Sequence, residues 1–208
     1  MKMILNTKAL PLALLYMLPL QAAQAGNYNL TINGTTFELD LGTEEKLKLP
    51  NGQELVLQLD RKTTSVFAAN GASFEHPSEF NVATSRISPG IHQHLLATAL
   101  GTLILVQTYA DMDATTLVDL MTGKMTDDDA ASGYTRETKP HSRTLADGSI
   151  LTGTRTTLKR VNDDAVVEVL GARIGRGGVM LITRTDRNTA PDEGTIIERF
   201  WDTLKLQK

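Results

Sequence analysis

Two apolar stretches, Ala165–Ile174 (AVVEVLGARI) and Val179–Thr183 (VMLIT), decide how the rest of the chain can fold. Both carry apolar residues at successive positions, which indicates strands covered on both faces. Arg176-Gly177-Gly178 between them is typical of a hairpin turn. The two stretches therefore predict neighbouring antiparallel strands at the buried centre of a sheet.

Further strands flank this centre. The β-rich segments Tyr134–Leu145 and Ser149–Val161 precede it, and the turn Asp147-Gly148 separates them. Earlier in the chain, Leu103–Val106 is again apolar on successive residues. Sequential strands joined by short turns predict an antiparallel meander.

Two segments have helical spacing. Asp113 can cap a helix from Ala114 to about Met125, and a second helix starts near Asn188 or Thr189. The apolar positions that recur at helical spacing are Leu117, Leu120, Met121 and Met125 in the first, and Ile196, Ile197, Phe200, Trp201 and Leu204 in the second. Two helices and doubly covered strands predict an α+β fold, an antiparallel sheet covered by helices on both faces in an α/β/α sandwich.

The first 25 residues predict an export signal. Lys2 and Lys8 form a basic region, Ala9–Leu20 is apolar, and Ala23-Gln24-Ala25 is a small-x-small cleavage site. This apolar segment is too short to cross about 30 Å of hydrocarbon as a helix. We therefore expect cleavage after Ala25 and a soluble periplasmic protein, with secretion as an alternative.

Two hairpins follow the predicted signal. Asn33-Gly34 is a strong type I′ turn signal, and Pro50-Asn51-Gly52 marks a second turn. Isolated hairpins are marginally stable, so we expect these two to extend or cover the main sheet. The predicted organisation is a signal peptide over 1–25, an N-terminal β-hairpin extension over 26–62, and the sandwich domain over 63–208.

Composition excludes several classes of protein. The 208 residues contain no cysteine, which excludes disulfides, thiolate zinc sites, a cysteine nucleophile and a cysteine lipid anchor. The net charge is −3, and loss of two leader lysines makes it −5. Residues 134–187 are the basic part, with ten bases against six acids. This excess is too weak, in an exported chain, to favour a nucleic-acid partner.

From Ser73 onward the chain resembles the PsbP-like α/β/α sandwich family, which includes periplasmic relatives of the DcrB type. The residues that carry the resemblance are Ser73-Phe74-x-x-Pro77-x-x-Phe80, Leu103–Val106, Leu145-x-Asp147-Gly148, and Phe200-Trp201-x-x-Leu204. The resemblance implies a binding, assembly or chaperone-like module. Two features depart from it, since DcrB-type relatives usually carry a lipid-anchoring cysteine and the hairpins before Lys62 lie outside the pattern.

One candidate site is a metal centre. His92-x-His94 would place two imidazoles on one exposed face of a strand, with a carboxylate, His76 or His141 as a further ligand of zinc or copper. Asp127-Asp128-Asp129 lacks the spacing of an EF-hand calcium loop. A metal-binding protein using His92 and His94 is the alternative function that this pattern predicts.

The other candidate is a basic patch for an acidic partner or an anionic headgroup. Its members lie on adjacent predicted strands: Arg155, Lys159, Arg173 and Arg184. The competing interpretation is cross-strand ion pairing with Glu168, Asp163 and Asp186.

Catalytic motifs do not support an enzyme. Neither Gly-x-Ser-x-Gly nor Ser-x-x-Lys occurs, and the glycines of Gly171–Gly178 join two strands instead of preceding a phosphate-binding helix. A hydrolase would need His76 or another histidine beside a serine or a carboxylate pair. We predict a non-catalytic periplasmic module without cofactor that recognises another protein.

Overall fold

The computed structural model describes residues 28–187 and 193–207. The predicted signal peptide, and the predicted cap of the last helix at Asn188 or Thr189, lie outside these residues. The chain divides into two compact units between Arg61 and Lys62.

The first unit consists of the two predicted hairpins, and each forms a two-stranded antiparallel sheet of its own. Asn33 (φ 49°) and Gly34 (φ 83°) both have positive φ, as a type I′ turn requires. The strands are β1 (Tyr28–Ile32), β2 (Thr35–Leu39), β3 (Glu44–Lys48) and β4 (Glu54–Gln58).

The second unit contains a seven-stranded, fully antiparallel sheet in the order β10-β11-β12-β13-β9-β8-β7. Its strands are β7 (Ala83–Ser88), β8 (Ile91–Ala97), β9 (Leu103–Tyr109), β10 (Thr135–Thr144), β11 (Ile150–Arg160), β12 (Asp163–Ile174) and β13 (Gly177–Asp186). A three-stranded sheet has the order β14-β6-β5. Its strands are β5 (Thr64–Ala69), β6 (Ala72–Pro77) and β14 (Lys205–Leu206). The predicted meander is confirmed.

The central strands β12 and β13 are buried on both faces, as their successive apolar residues predict. Val169 and Ile182 belong to the hydrophobic core on one face, whereas Leu170 and Leu181 belong to the core on the other. The side chains of all four are fully buried.

One face of the large sheet packs against a 3₁₀ turn (Ala114–Leu117) and helix α1 (Val118–Ala131), and we call it the α1 face. Asp113 caps this segment, since Thr115 N donates to its Oδ1 at 3.0 Å. A Cβ at Gly171 would lie 3.1 Å from the backbone of Ala114, so glycine lets the 3₁₀ turn lie directly on β12.

Helix α1 continues six residues beyond the predicted end at Met125 and includes Asp127–Asp129. Two of these aspartates have tertiary ion-pair partners, Arg136 for Asp127 and Arg184 for Asp129. Three consecutive aspartates predicted the end of the helix. The sequence pattern does not show the long-range ion pairs that stabilise them within the helix.

The opposite face packs against helix α2 (Gly194–Thr203) together with the three-stranded sheet, and we call it the α2 face. The predicted apolar stripe is confirmed, because Ile196, Ile197, Phe200, Trp201 and Leu204 are all buried.

The prediction of an α/β/α sandwich with helices on both faces is wrong. The fold is mostly antiparallel sheet, with 57% strand and 17% helix, and the described residues form two α-helices. On the α2 face, strands β5, β6 and β14 share the covering layer with one short helix. The apolar patterns correctly indicated burial, but they did not indicate that strands would provide part of the cover.

Neither helix in the described part of the chain is long and apolar enough to cross a membrane.

Candidate functional site

A buried carboxylate on the α2 face, Glu168, is the centre of a charged cluster in the second unit. Glu168 lies on β12 among apolar neighbours, and its side chain is only 3% exposed. Because a buried carboxylate is stable as an anion only when it is paired, its partners define the site.

Two arginines from neighbouring strands bind Glu168. Arg143 of β10 donates from Nε to Oε2 at 2.9 Å and from Nη2 to Oε1 at 3.1 Å. Arg155 of β11, directly opposite Glu168 in the register, donates from Nη1 to Oε1. Both oxygens are thus occupied by guanidinium groups, and two positive charges share one negative charge.

His141 and Trp201 complete the cluster. His141 Nε2 lies 3.3 Å from Glu168 Oε1, within ion-pair distance but outside hydrogen-bond geometry. The Arg143 guanidinium stacks over the Trp201 ring, 4.6 Å from its centroid. This stacking fixes one arginine in place and joins the charged cluster to helix α2.

A groove of about 470 Å³ opens beside this cluster. Among the described residues, its charged lining comprises Arg143, Arg155, Arg187, Glu168 and Glu198, which sum to +1. Val166 and Ile197 supply apolar walls, and Thr183 and Thr185 supply hydroxyl groups. The groove has the size and mixed lining of a ligand site.

A second recess of about 420 Å³ shares Arg143 and Arg155 with the groove. Its other lining residues include His141, Trp201 and Asp202. The two arginines thus border open space on both sides.

The predicted basic patch is not assembled, because its four members lie on both faces of the sheet. Arg155 and Lys159 are four residues apart on β11, so strand alternation places both on the α2 face. Arg184 is on the α1 face, where it pairs with Asp129 at 2.6 Å. Arg173 alternates with Ala172 and Ile174 of the α2-face core, so it is also on the α1 face.

The competing interpretation, cross-strand ion pairing, holds for Arg155 and Glu168. Arg184 instead pairs with Asp129 of helix α1. Asp163 lies within 3.4 Å of Arg160.

His92 and His94 share the α2 face of β8, as strand alternation requires. The predicted exposure is wrong for His94, which is fully buried. Asn70 Nδ2 lies 3.3 Å from its Nε2, and Thr84 Oγ1 lies 3.1 Å from its Nδ1. Burial, followed by the proximity of His92, lowers the pKa of His94.

Both ring nitrogens of His94 are therefore occupied by protein partners, which leaves no lone pair for a metal without rearrangement. Among residues 28–187 and 193–207, no group of three or more histidine, aspartate or glutamate side chains could hold a metal ion. His76 is also buried, and its Nδ1 lies 2.9 Å from the carbonyl oxygen of Pro77.

Sequence reasoning did not identify Arg143, Glu168 and Arg187 as members of one site. Glu168 interrupts an apolar run, and a charge within such a run is the signal that could have drawn attention to it. The register then identifies Arg155 as its direct neighbour, since the Asn162 turn sets the pairing of β11 with β12.

Comparisons with solved structures give a distant likeness. No family model and no curated protein matches the chain. The solution structure of cyanobacterial PsbP (CyanoP) from Synechocystis sp. PCC 6803 is similar to it, with a TM-score of 0.44 and 12% identity. The similarity covers 69% of this chain and 92% of CyanoP. This is the family that the sequence motifs resemble, but a likeness this distant assigns no activity or partner to the chain.

Proposed function

We propose that the protein is an exported, non-catalytic binding module that recognises another protein through the groove beside Glu168. The observation that carries this proposal is the surplus of arginine around one buried carboxylate at the edge of an open groove. Arginines that border open space on both sides can donate to a partner while they still hold Glu168.

The chemistry of the site favours binding over catalysis. Glu168 accepts hydrogen bonds from both arginines on its two oxygens, so neither oxygen is poised to remove a proton from a substrate. The described lining residues that carry hydroxyl groups are Thr183 and Thr185, and no histidine is among the described lining residues. An activated nucleophile needs such a base within hydrogen-bond reach.

Site-specific photo-crosslinking tests the proposal in intact cells. A benzophenone amino acid replaces Thr185 in the groove, and a matched protein carries it at Arg176, which is highly exposed at the β12–β13 turn. We expect one protein to be captured reproducibly from position 185 and not from position 176, and to be lost when Arg187→Gln is added. Equal capture from both positions, or none from either, contradicts the proposal.

Export is tested separately from partner recognition. Sequencing the N-terminus of the protein recovered from the periplasmic fraction should give Gly26, since the predicted cleavage follows Ala25. Recovery of the protein only in the cytoplasm contradicts the exported state.

A further inference from the structure

Arg187 distinguishes the groove from an ordinary buried ion-pair cluster. Arg143 and Arg155 are both engaged with Glu168, whereas Arg187 is exposed and forms no ion pair with any carboxylate of residues 28–187 and 193–207. Its backbone N–H donates to the carbonyl oxygen of Asp164 at 2.9 Å, which anchors the residue at the end of β13. Within the described part of the chain, Arg187 is therefore a cation of the groove whose backbone is anchored and whose side chain has no ion-pair partner.

We propose that the groove binds a single carboxylate group of the partner, with Arg187 as its main contact and Arg155 as its second. The inference rests on the proposed function, because it specifies what part of a partner enters the same site. The source of the carboxylate is a peptide C-terminus or an acidic side chain, which share this chemistry.

Charge decides between a carboxylate and a phosphate. The charged lining that the described residues provide sums to +1, so one monoanion balances it, whereas a dianionic phosphate would bring the sum to −1. The arginines already show the preferred geometry, since Arg143 holds Glu168 through two parallel N–H···O bonds. Such planar bidentate pairing is the usual way in which arginine recognises a carboxylate.

The walls indicate what is attached to the carboxylate. Val166 and Ile197 are apolar, and Thr183 and Thr185 offer hydroxyl groups to a peptide backbone. A volume near 470 Å³ accommodates a few atoms of apolar side chain together with the charged group. We therefore expect a carboxylate on a short apolar body to bind better than a fully hydrated anion.

The chain contains its own reporter for this test. Trp201 is its single tryptophan, and Arg143 stacks over its ring. A ligand that binds Arg143 or Arg155 alters the charge beside the indole. Intrinsic fluorescence and the indole N–H signal in NMR therefore report binding directly.

The experiment titrates the mature protein with four probes. N-acetyl-leucine carries a terminal carboxylate, N-acetyl-glutamate amide carries a side-chain carboxylate, N-acetyl-leucine amide is the neutral control, and inorganic phosphate is the competing anion. The variants are Arg187→Gln in the groove and Arg176→Gln, whose 88% exposed side chain pairs with Asp111 outside it.

We expect saturable binding of at least one carboxylate probe, about 3–10-fold weaker in Arg187→Gln and unchanged in Arg176→Gln, because one charge-assisted contact is lost. The better of the two carboxylate probes identifies the source of the group. Equal binding of the neutral amide, tighter binding of phosphate, or no effect of Arg187→Gln overturns the inference. Because Arg187 holds no ion pair within the described chain, its variant should keep the thermal midpoint of the parent.

The two proposals fail in different ways. Capture of a partner from position 185 without carboxylate binding leaves the proposed function intact and refutes the carboxylate inference. Carboxylate binding without any captured protein refutes protein recognition and leaves a small-molecule anion site.

Discussion

The α1 face and the α2 face of the seven-stranded sheet hold their charges differently. On the α1 face, Arg184 pairs with Asp129 and Arg136 pairs with Asp127, so each of these two arginines has its own carboxylate. On the α2 face, Arg143 and Arg155 share Glu168.

The helices that cover the two faces also differ in how much apolar surface they bury. Helix α1 buries Val118 and two threonines against the sheet, whereas α2 buries four large apolar side chains. The α2 face therefore combines the stronger hydrophobic anchor with the unbalanced charge. We infer that stability comes mainly from the centre of this face and recognition from its margin.

Truncation of the apolar anchor should have the largest effect. Phe200 is fully buried and packs edge-to-face on Phe74, with ring centroids 5.0 Å apart. Phe200→Ala should lower the free energy of unfolding by about 3–5 kcal/mol. Urea denaturation measures it.

The matched control on the other helix is Leu120→Ala, because Leu120 of α1 is 58% exposed. It should change the free energy of unfolding by less than about 0.5 kcal/mol. Similar losses in the two variants would contradict the expectation that burial of Phe200 on the α2 face sets the cost of its truncation.

Neutralising the shared carboxylate should come next. Glu168→Gln leaves two guanidinium groups without a buried counter-charge, and because both are about one-third exposed we expect a loss of about 2–4 kcal/mol. Glu198→Gln, an exposed acid lining the same groove, is the control and should be nearly neutral. A stable Glu168→Gln protein would show that water already screens the two arginines.

Breaking the ion pair of Arg184 and Asp129 on the α1 face should lower the free energy of unfolding by less. Arg184 and Asp129 are joined by two hydrogen bonds at 2.6 and 3.1 Å, and hydrogen bonding to Asp129 raises the pKa of Arg184. Arg184→Gln should lower the free energy of unfolding by about 1–2 kcal/mol, since the pair is partly solvated. The exposed pair of Arg176 and Asp111 is the comparison, and Arg176→Gln should cost below about 0.5 kcal/mol.

The smallest expected effect is a pH dependence on the α2 face. The pKa of His94 is lowered from 6.5 in the folded protein, so below pH 6.5 the unfolded chain binds a proton that the folded chain does not. The contribution of His94 to the free energy of unfolding should be constant above pH 6.5. Below pH 6.5 this contribution should fall by no more than about 1.4 kcal/mol per pH unit.

Urea midpoints at pH 7.5 and 5.5 for the parent and His94→Gln measure this contribution. The difference between the two proteins removes the contributions of all other residues. An equal pH response in both proteins would assign the dependence to those residues instead.

Local pattern was enough to predict much of the fold. The Asn33-Gly34 turn, the meander from Thr135 to Asp186 and the buried stripe of α2 are confirmed, because turn chemistry and apolar periodicity act over a few residues. The covering layer was mispredicted, since β14 pairs with β6 across the length of the unit and no local signal marks a two-residue strand.

What the sequence determined by itself was the set of strands, their turns and the apolar faces, since these depend on the alternation of neighbouring residues. Only the tertiary structure decided which charges meet. Arg143, Arg155 and Glu168 come from three strands, and the interstrand register brings them together. The same register sends Arg173 and Arg184 to the opposite face, because a shift of one position reverses the side on which a side chain lies.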